Sequence, residues 1–438
     1  MGETSLDRII TEAAFCEALA AEAEPFFRLA NTVQYRPEPG TRRQHLYQLG
    51  IEADILEAFL DDYGAQDNRE FCFLRELIAS VRGFAEVGFA LEHLVYRLDS
   101  YATELAVVPD RADWIRANLD RAREFIMDSA CRLLEATRQD AARLGVQWGN
   151  SFFPEDRFLV GLVDLKLPRN RGDEEIGDDE SRVGEVASKY LQVCEMFQQT
   201  GIREIQESAA RETFMSARCT EEHARVYEAT VHNLQSAYDT FIKGTTLETS
   251  DPRLTKLRGH ASAAFHTLKA VTGLVHFVER HEADSRGDDC GRRIAELIDR
   301  ARVRDTTLND LLVTARSLME LGNPVAREIL SSFSNLQELE LDVPEGLVMH
   351  ARPASLVVAI VNRYGTPVEL QVGEDTCNAA SILELLIAVG SAPDNRKYTF
   401  RGDAKPLHDI RRLFVAGLGE GGLSNLPPEL GYLTDGDD

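Results

Sequence analysis

The sequence predicts a multidomain protein in which all-α helical bundles lead and one α+β module follows, an open-faced sandwich with a four-stranded antiparallel sheet and three helices. Three observations predict it. Apolar residues recur at helical spacing over most of the first 333 positions, the pattern turns to strand-like alternation after 337, and 438 residues are too many for one core. We place a helical bundle at 1–145, an irregular acidic linker at 146–182, a helical connector at 183–223, and a four-helix bundle at 224–322. A linker helix at 323–336, the α+β module at 337–420 and a tail at 421–438 complete the chain.

The elements follow in order. Leu6, Ile9, Ile10, Ala13 and Ala14 begin one apolar face, and Leu46, Leu49, Ile55, Leu56, Phe59 and Leu60 carry another, with Arg36-Pro-Glu-Pro-Gly40 as the turn between them. Longer helical stretches run from Phe71 to Ala106 and from Arg111 to Leu144. Between 145 and 182 the periodicity fails: Phe158 to Leu167 reads as one or two short strands, and Arg169 to Glu180 as a solvated acidic loop. Helices return from Val183, and four are expected at 224–243, 252–282, 290–302 and 306–322.

Composition excludes several function classes. A net charge of −25 repels nucleic acid and anionic membrane, and no basic patch offsets it. The longest apolar run, Leu356 to Val361, is far short of a membrane span. The N-terminus has no basic region followed by an apolar core, and Leu6 stands where a myristoylation signal wants Ser or Thr, so the expectation is a soluble, cytoplasmic protein. Seven scattered cysteines without metal-ligand spacing read as reduced residues. Neither a cofactor nor a metal is implied, no GxxxxGK[ST] loop appears, and no nucleophile, base and oxyanion donor combine in the N-terminal helices.

Chemistry concentrates at two histidines. In the helix at 252–282, Leu257, Ala261, Ala264, Leu268, Val271 and Val275 fall on one face at about 100° per residue, and His266 lands opposite them. Gly259, Ser262, Ala263, Ala270 and Gly273 around it are all small, as if the surface were cleared for a partner, and Lys269 is placed to pair with a phosphoryl group on the imidazole. His260, His276 and His281 project at other angles and build no metal site, and His93 reads as a packed histidine. Ala264-Phe-His-Thr-Leu-Lys-Ala-Val-Thr-Gly273 resembles the signature of histidine phosphotransfer (HPt) domains, with Ala270 where that family usually has glycine. The resemblance implies His266 as phosphoacceptor, Lys269 as its charge partner, and response-regulator receiver domains as partners.

The second histidine is His350, in Gly346-Leu-Val-Met-His-Ala-Arg-Pro-Ala-Ser355. A strand at 338–343 leads in and a helix at 354–364 leads out, with Pro353 suited to its first position. The free amides of that helix and the guanidinium of Arg352 make a phosphate cradle around a nucleophile. Strands at 367–372, 375–377 and 397–401 alternate with helices at 381–388 and 405–416. This order, His350-Ala-Arg-Pro353 and Asn378-Ala-Ala-Ser381-Ile-Leu together resemble HPr, the histidine-containing phosphocarrier of the phosphoenolpyruvate-dependent phosphotransferase system, over about 337–418. The resemblance implies a fold of four strands and three helices, phosphoryl entry at His350 from an enzyme I-like donor, exit to a IIA-type acceptor, and an HPr kinase acting on Ser381. Two departures stand out: Val348 where the family has glycine, and Ala380 where lysine is common. Ser381 is also a good N-cap, which is reason enough for its presence. The function read from these sites is a regulatory phosphocarrier, a group carrier rather than an independent enzyme, with a non-catalytic scaffold as the alternative.

Overall fold

The fold is given by a computed structural model that describes residues 9–36, 42–101, 109–154, 179–282, 289–333 and 335–433. The expected strands at 158–167 and most of the acidic linker lie outside these residues. Contact density divides the chain into two compact units: Met1–Gly172, Phe197–Asn233 and Gly259–Leu321 form the first, and Asp173–Met196, Leu234–Arg258 and Gly322–Asp438 the second.

Thirteen helices precede the first strand among the described residues: α1 (Glu12–Glu22), α2 (Glu24–Tyr35), α3 (Arg42–Asp62), α4 (Cys72–Tyr101), α5 (Pro109–Arg143), α6 (Asp179–Gln199), α7 (Ser208–Arg218), α8 (Glu221–Phe241), α9 (Thr246–Ser250), α10 (Pro252–Glu282), α11 (Cys290–Leu297), α12 (Arg300–Asp305) and α13 (Val313–Phe333). In the first unit, α3 packs on α4 and α4 on α5. Arg75 binds Asp61 at 2.7 Å and Tyr47 meets Phe89 at 5.1 Å, so α3 and α4 run antiparallel. Helix α4 also lies antiparallel to α10, because Phe84 meets Phe277 edge-on while His93 meets His266.

The expected four-helix set at 224–322 is altered at its end. Helix α11 stops at Leu297, and Asp299 caps α12 through the amides of Ala301 and Arg302. The chain then stays helical to Phe333, through a π-helical turn at Thr306–Leu312 and past Pro324. The break expected at Asn323-Pro324 does not occur. A proline inside a helix costs about 3 kcal/mol, and burial of Ala326 and Ile329 beyond it offsets that cost.

In the second unit, the last quarter of the chain alternates β1 (Leu336–Asp342), α14 (Ala351–Tyr364), β2 (Val368–Val372), β3 (Asp375–Asn378), α15 (Ile382–Ser391), β4 (Lys397–Asp403) and α16 (Ala404–Val415). The strands form one antiparallel sheet in the order β1-β4-β2-β3. Phe400 on β4 pairs with both Leu339 and Leu370, and Leu370 with Cys377, so one face is a continuous apolar stripe. Val357 and Ile360 of α14, Leu385 of α15 and Leu413 of α16 close over that face. The opposite face carries cross-strand ion pairs, Arg401 with Glu338 and Lys397 with Glu340, and is the open side of the sandwich.

The segment after 420 is not a simple tail. Pro428–Leu433 forms a short 3-10 turn that buries Leu430, and Tyr432 donates a hydrogen bond of 2.8 Å to Asp409, which also accepts one from Tyr364. Burial, with Asp409 beside it, pushes the Tyr364 phenol up to about 12. No described helix is long and apolar enough to cross a membrane.

Candidate functional site

The loop from β1 to α14 is set by one glycine. Leu347 N–H donates to Pro344 at 3.1 Å, and Gly346 holds φ +80, a conformation that a β-turn of this type takes at its third residue. The loop thus spends its glycine on the turn, and Val348, 63% exposed, can stand two residues before the histidine without backbone strain. Helix α14 begins at Ala351, earlier than the sequence suggested, so His350 is its N-cap and Pro353 its third residue. A proline fits there because the first-turn amides have no intrahelical partner to lose.

This placement defines both nitrogens of the imidazole. Nδ1 accepts from Arg352 N–H at 3.4 Å and faces the free amides of the helix, while Nε2 lies 3.1 Å from Glu420 Oε1. A neutral imidazole has one donor and one acceptor nitrogen, so an Nδ1 that accepts from Arg352 N–H leaves the proton on Nε2. Glu420 Oε1 is closed off from solvent and accepts no well-angled hydrogen bond among the described residues, so the contact with His350 is electrostatic in character. The guanidinium of Arg352 is exposed and pairs with no carboxylate among the described residues.

Glu420 arrives by an unusual backbone. Gly417, Leu418 and Gly419 hold φ of +72, +58 and +73 in succession. A left-handed leucine costs roughly 1–2 kcal/mol, and it is retained because its side chain is fully buried in the module core. No sequence pattern identified this residue; its only signal is the Gly-Leu-Gly stretch after α16.

Ser381 is the N-cap of α15, where its hydroxyl accepts from Glu384 N–H at 3.4 Å, and Ile382, Leu383 and Ile387 of that helix are exposed. The capping role expected of the serine is therefore filled.

His266 has different surroundings. Ser262, Ala263 and Ala270 are buried, and a Cβ on Gly273 would come within 2.6 Å of Val87 on α4. The small face expected to be cleared for another protein is instead buried, and at Gly273 it packs against α4, where the missing side chain lets the two helices approach. His266 is half-buried, 4.5 Å from the ring of His93, and Lys269 is exposed over Phe265. The two line a cleft of about 760 Å³ within the first unit. His93, read as a packed histidine, is half-buried and lines the same cleft. His281 has no described side chain, so its expected projection lies outside the described residues.

Comparison with known proteins agrees with the C-terminal part of this picture. Residues 337–392 match the family described as PTS HPr component phosphorylation site. No curated protein and no solved structure matches the chain. The C-terminus is therefore an HPr module, of the class that carries phosphoryl groups in the phosphotransferase system.

Proposed function

We propose that this chain is a regulatory phosphocarrier whose acceptor is His350. The observation that carries the reading is the histidine's place as N-cap of α14 inside the HPr module, with Nδ1 turned to the helix amides. The lone pair of Nδ1 attacks the phosphorus of an enzyme I-like phosphohistidine. A new P–N bond forms as the donor's P–N bond breaks, and the donor imidazole leaves with its electron pair. The first-turn amides and Arg352 face the phosphoryl oxygens, and Glu420 stabilises the positive charge that the ring, still protonated at Nε2, then carries. Transfer onward to a IIA-type component reverses the same steps.

The exposed apolar residues of α15 support a docking role for the module's partners. Regulatory phosphorylation of Ser381 would replace a capping hydroxyl by a dianion at a helix N-terminus. The test uses the full chain incubated with enzyme I and labelled phosphoenolpyruvate, with phosphohistidine mapped under alkaline conditions. Acid-labile phosphate at His350 is expected; its absence there sinks the carrier reading.

A second reading, a docking scaffold without group transfer, draws on Val348 and the same exposed residues. A His266→Ala, His350→Ala double variant that recovers the same partners as the wild type supports the scaffold.

A further inference from the structure

In the first unit, α11 packs on the first turn of α4, and a cysteine stands at the start of each helix. Cys72 opens α4 and Cys290 opens α11. The turn before α4 is fixed by Asn68, whose side-chain oxygen accepts from the amides of Glu70 at 2.8 Å and Phe71 at 3.3 Å, and whose carbonyl accepts from Cys72 N–H at 2.9 Å. The carbonyl of Asp289 holds the first turn of α11 through Arg293 N–H at 3.1 Å. The two thiols meet as a result. Cys290 Sγ lies 3.3 Å from Cys72 Sγ, although 218 positions separate them in the chain.

What holds α11 otherwise is modest. Cys290 and Ile294 are its buried residues. Arg293, one turn from Cys290, lays its guanidinium 3.3 Å over the ring of Phe73 on α4 and lies 3.6 Å from Asp140 on α5. A helix this short depends on such contacts, since isolated helices under about 12 residues are marginal in water. The two sulfurs also differ in exposure: Cys290 is buried, while Cys72 is partly open to solvent. Elsewhere in the chain, burial pushes the Cys219 thiol up to about 12 and the Cys377 thiol up to about 11, which keeps both protonated and slow to react.

We propose that Cys72 and Cys290 form a reversible dithiol site that a peroxide closes to a disulfide, fastening α11 to the head of α4. The Cys72 thiolate, its proton released to solvent, attacks one oxygen of hydrogen peroxide. The O–O bond breaks and hydroxide leaves, so Cys72 becomes a sulfenic acid. The Cys290 sulfur then attacks Cys72 Sγ: an S–S bond forms as the S–O bond breaks, and the hydroxyl leaves as water with the Cys290 proton. The pair of thiols loses two electrons and the peroxide gains them. The order follows from exposure, because Cys72 meets the oxidant and the buried Cys290 stands behind it as the resolving thiol. A disulfide bond is about 2.05 Å long, so the sulfurs are reduced at 3.3 Å and close on each other through small rotations about their Cα–Cβ bonds. The bond restrains residues far apart in sequence and so favours the docked α11 over any opened state. The site is independent of the carrier reading at His350.

The test is treatment of the full chain, first reduced and freed of reductant, with hydrogen peroxide, followed by alkylation, digestion and mass spectrometry. A peptide linked through Cys72 and Cys290 is expected, lighter than the two free peptides by the hydrogens lost, and dithiothreitol should undo it. Cys219 and Cys377 should still be recovered as thiols. In Cys290→Ser the reaction should stop at the sulfenic acid of Cys72, where dimedone traps it. The disulfide should slow amide exchange across α11 at least about tenfold relative to the reduced chain, and peroxide should have no such effect on Cys72→Ser, whose serine is close in size to the cysteine it replaces. The proposal is overturned if peroxide leaves both thiols open to alkylation, if either one links instead to another cysteine or another chain, if dimedone finds no sulfenic acid at Cys72 in Cys290→Ser, or if the linked chain exchanges its α11 amides as fast as the reduced one.

Discussion

His350 and His266 read alike in the sequence, each a histidine with a basic residue two or three positions on, yet they are built in opposite ways. His350 caps a helix, so its backbone turns the ring toward unpaired amides while the side chain stays half-exposed. His266 lies in mid-helix, where the neighbouring amides are used along α10 and none is left to face the ring. The first site is made by local geometry and the second by whatever packs against it. The comparison teaches that a histidine with a nearby cation is only half a site; the other half is where its helix begins and what covers it.

The sharpest way to break the comparison is substitution at both positions. His350→Ala should abolish phosphate incorporation from enzyme I, whereas His266→Ala should leave it unchanged; equal losses would make the two sites one system. Next comes the seam. Gly273→Val places a branched side chain against Val87 and should destabilise the helical unit by about 1–3 kcal/mol in thermal unfolding, whereas a surface cleared for a partner would absorb it without cost.

Smaller effects sharpen the His350 half. Both side chains of the His350–Glu420 pair are partly exposed although the contacting oxygen is not, so solvent weakens the contact and Glu420→Ala should slow phosphoryl acceptance roughly three- to tenfold. Its distinguishing sign is spectroscopic: the nitrogen shifts of His350 should show the Nε2-protonated tautomer in the wild type and a mixture in the variant. Ser381→Ala should cost about 1 kcal/mol through loss of the cap, and Ser381→Asp should keep it. Last, His93 should titrate below 6.5 in a histidine NMR series. Because its folded value is depressed, the unfolded chain takes up the proton first, and this residue's contribution to stability is lost as pH falls through the ordinary histidine value.

The module at the C-terminus was legible because its signals are local. Alternation in Val368–Val372 and the helical stripe from Ala354 to Val361 fix which faces are apolar, and His350-Ala-Arg-Pro353 fixes where the helix can begin. Helix ends were less legible. Pro324 looked like a break, but buried Ala326 and Ile329 carry α13 past it. The small residues around His266 read as a surface cleared for a partner protein, and that reading fails. What approaches is α4 of the same chain, and the spacing within α10 holds no record of it.

The sequence by itself determined the HPr module, its strand and helix order, and the nucleophile at a helix start, because these depend on residues within a few positions of one another. Only the tertiary structure decided what stands next to each imidazole: Glu420, 70 positions from His350, and His93, 173 positions from His266. Such neighbours are chosen by burial across the whole chain, as when Leu418 sinks into the core and delivers the carboxylate after it. No local period encodes that choice.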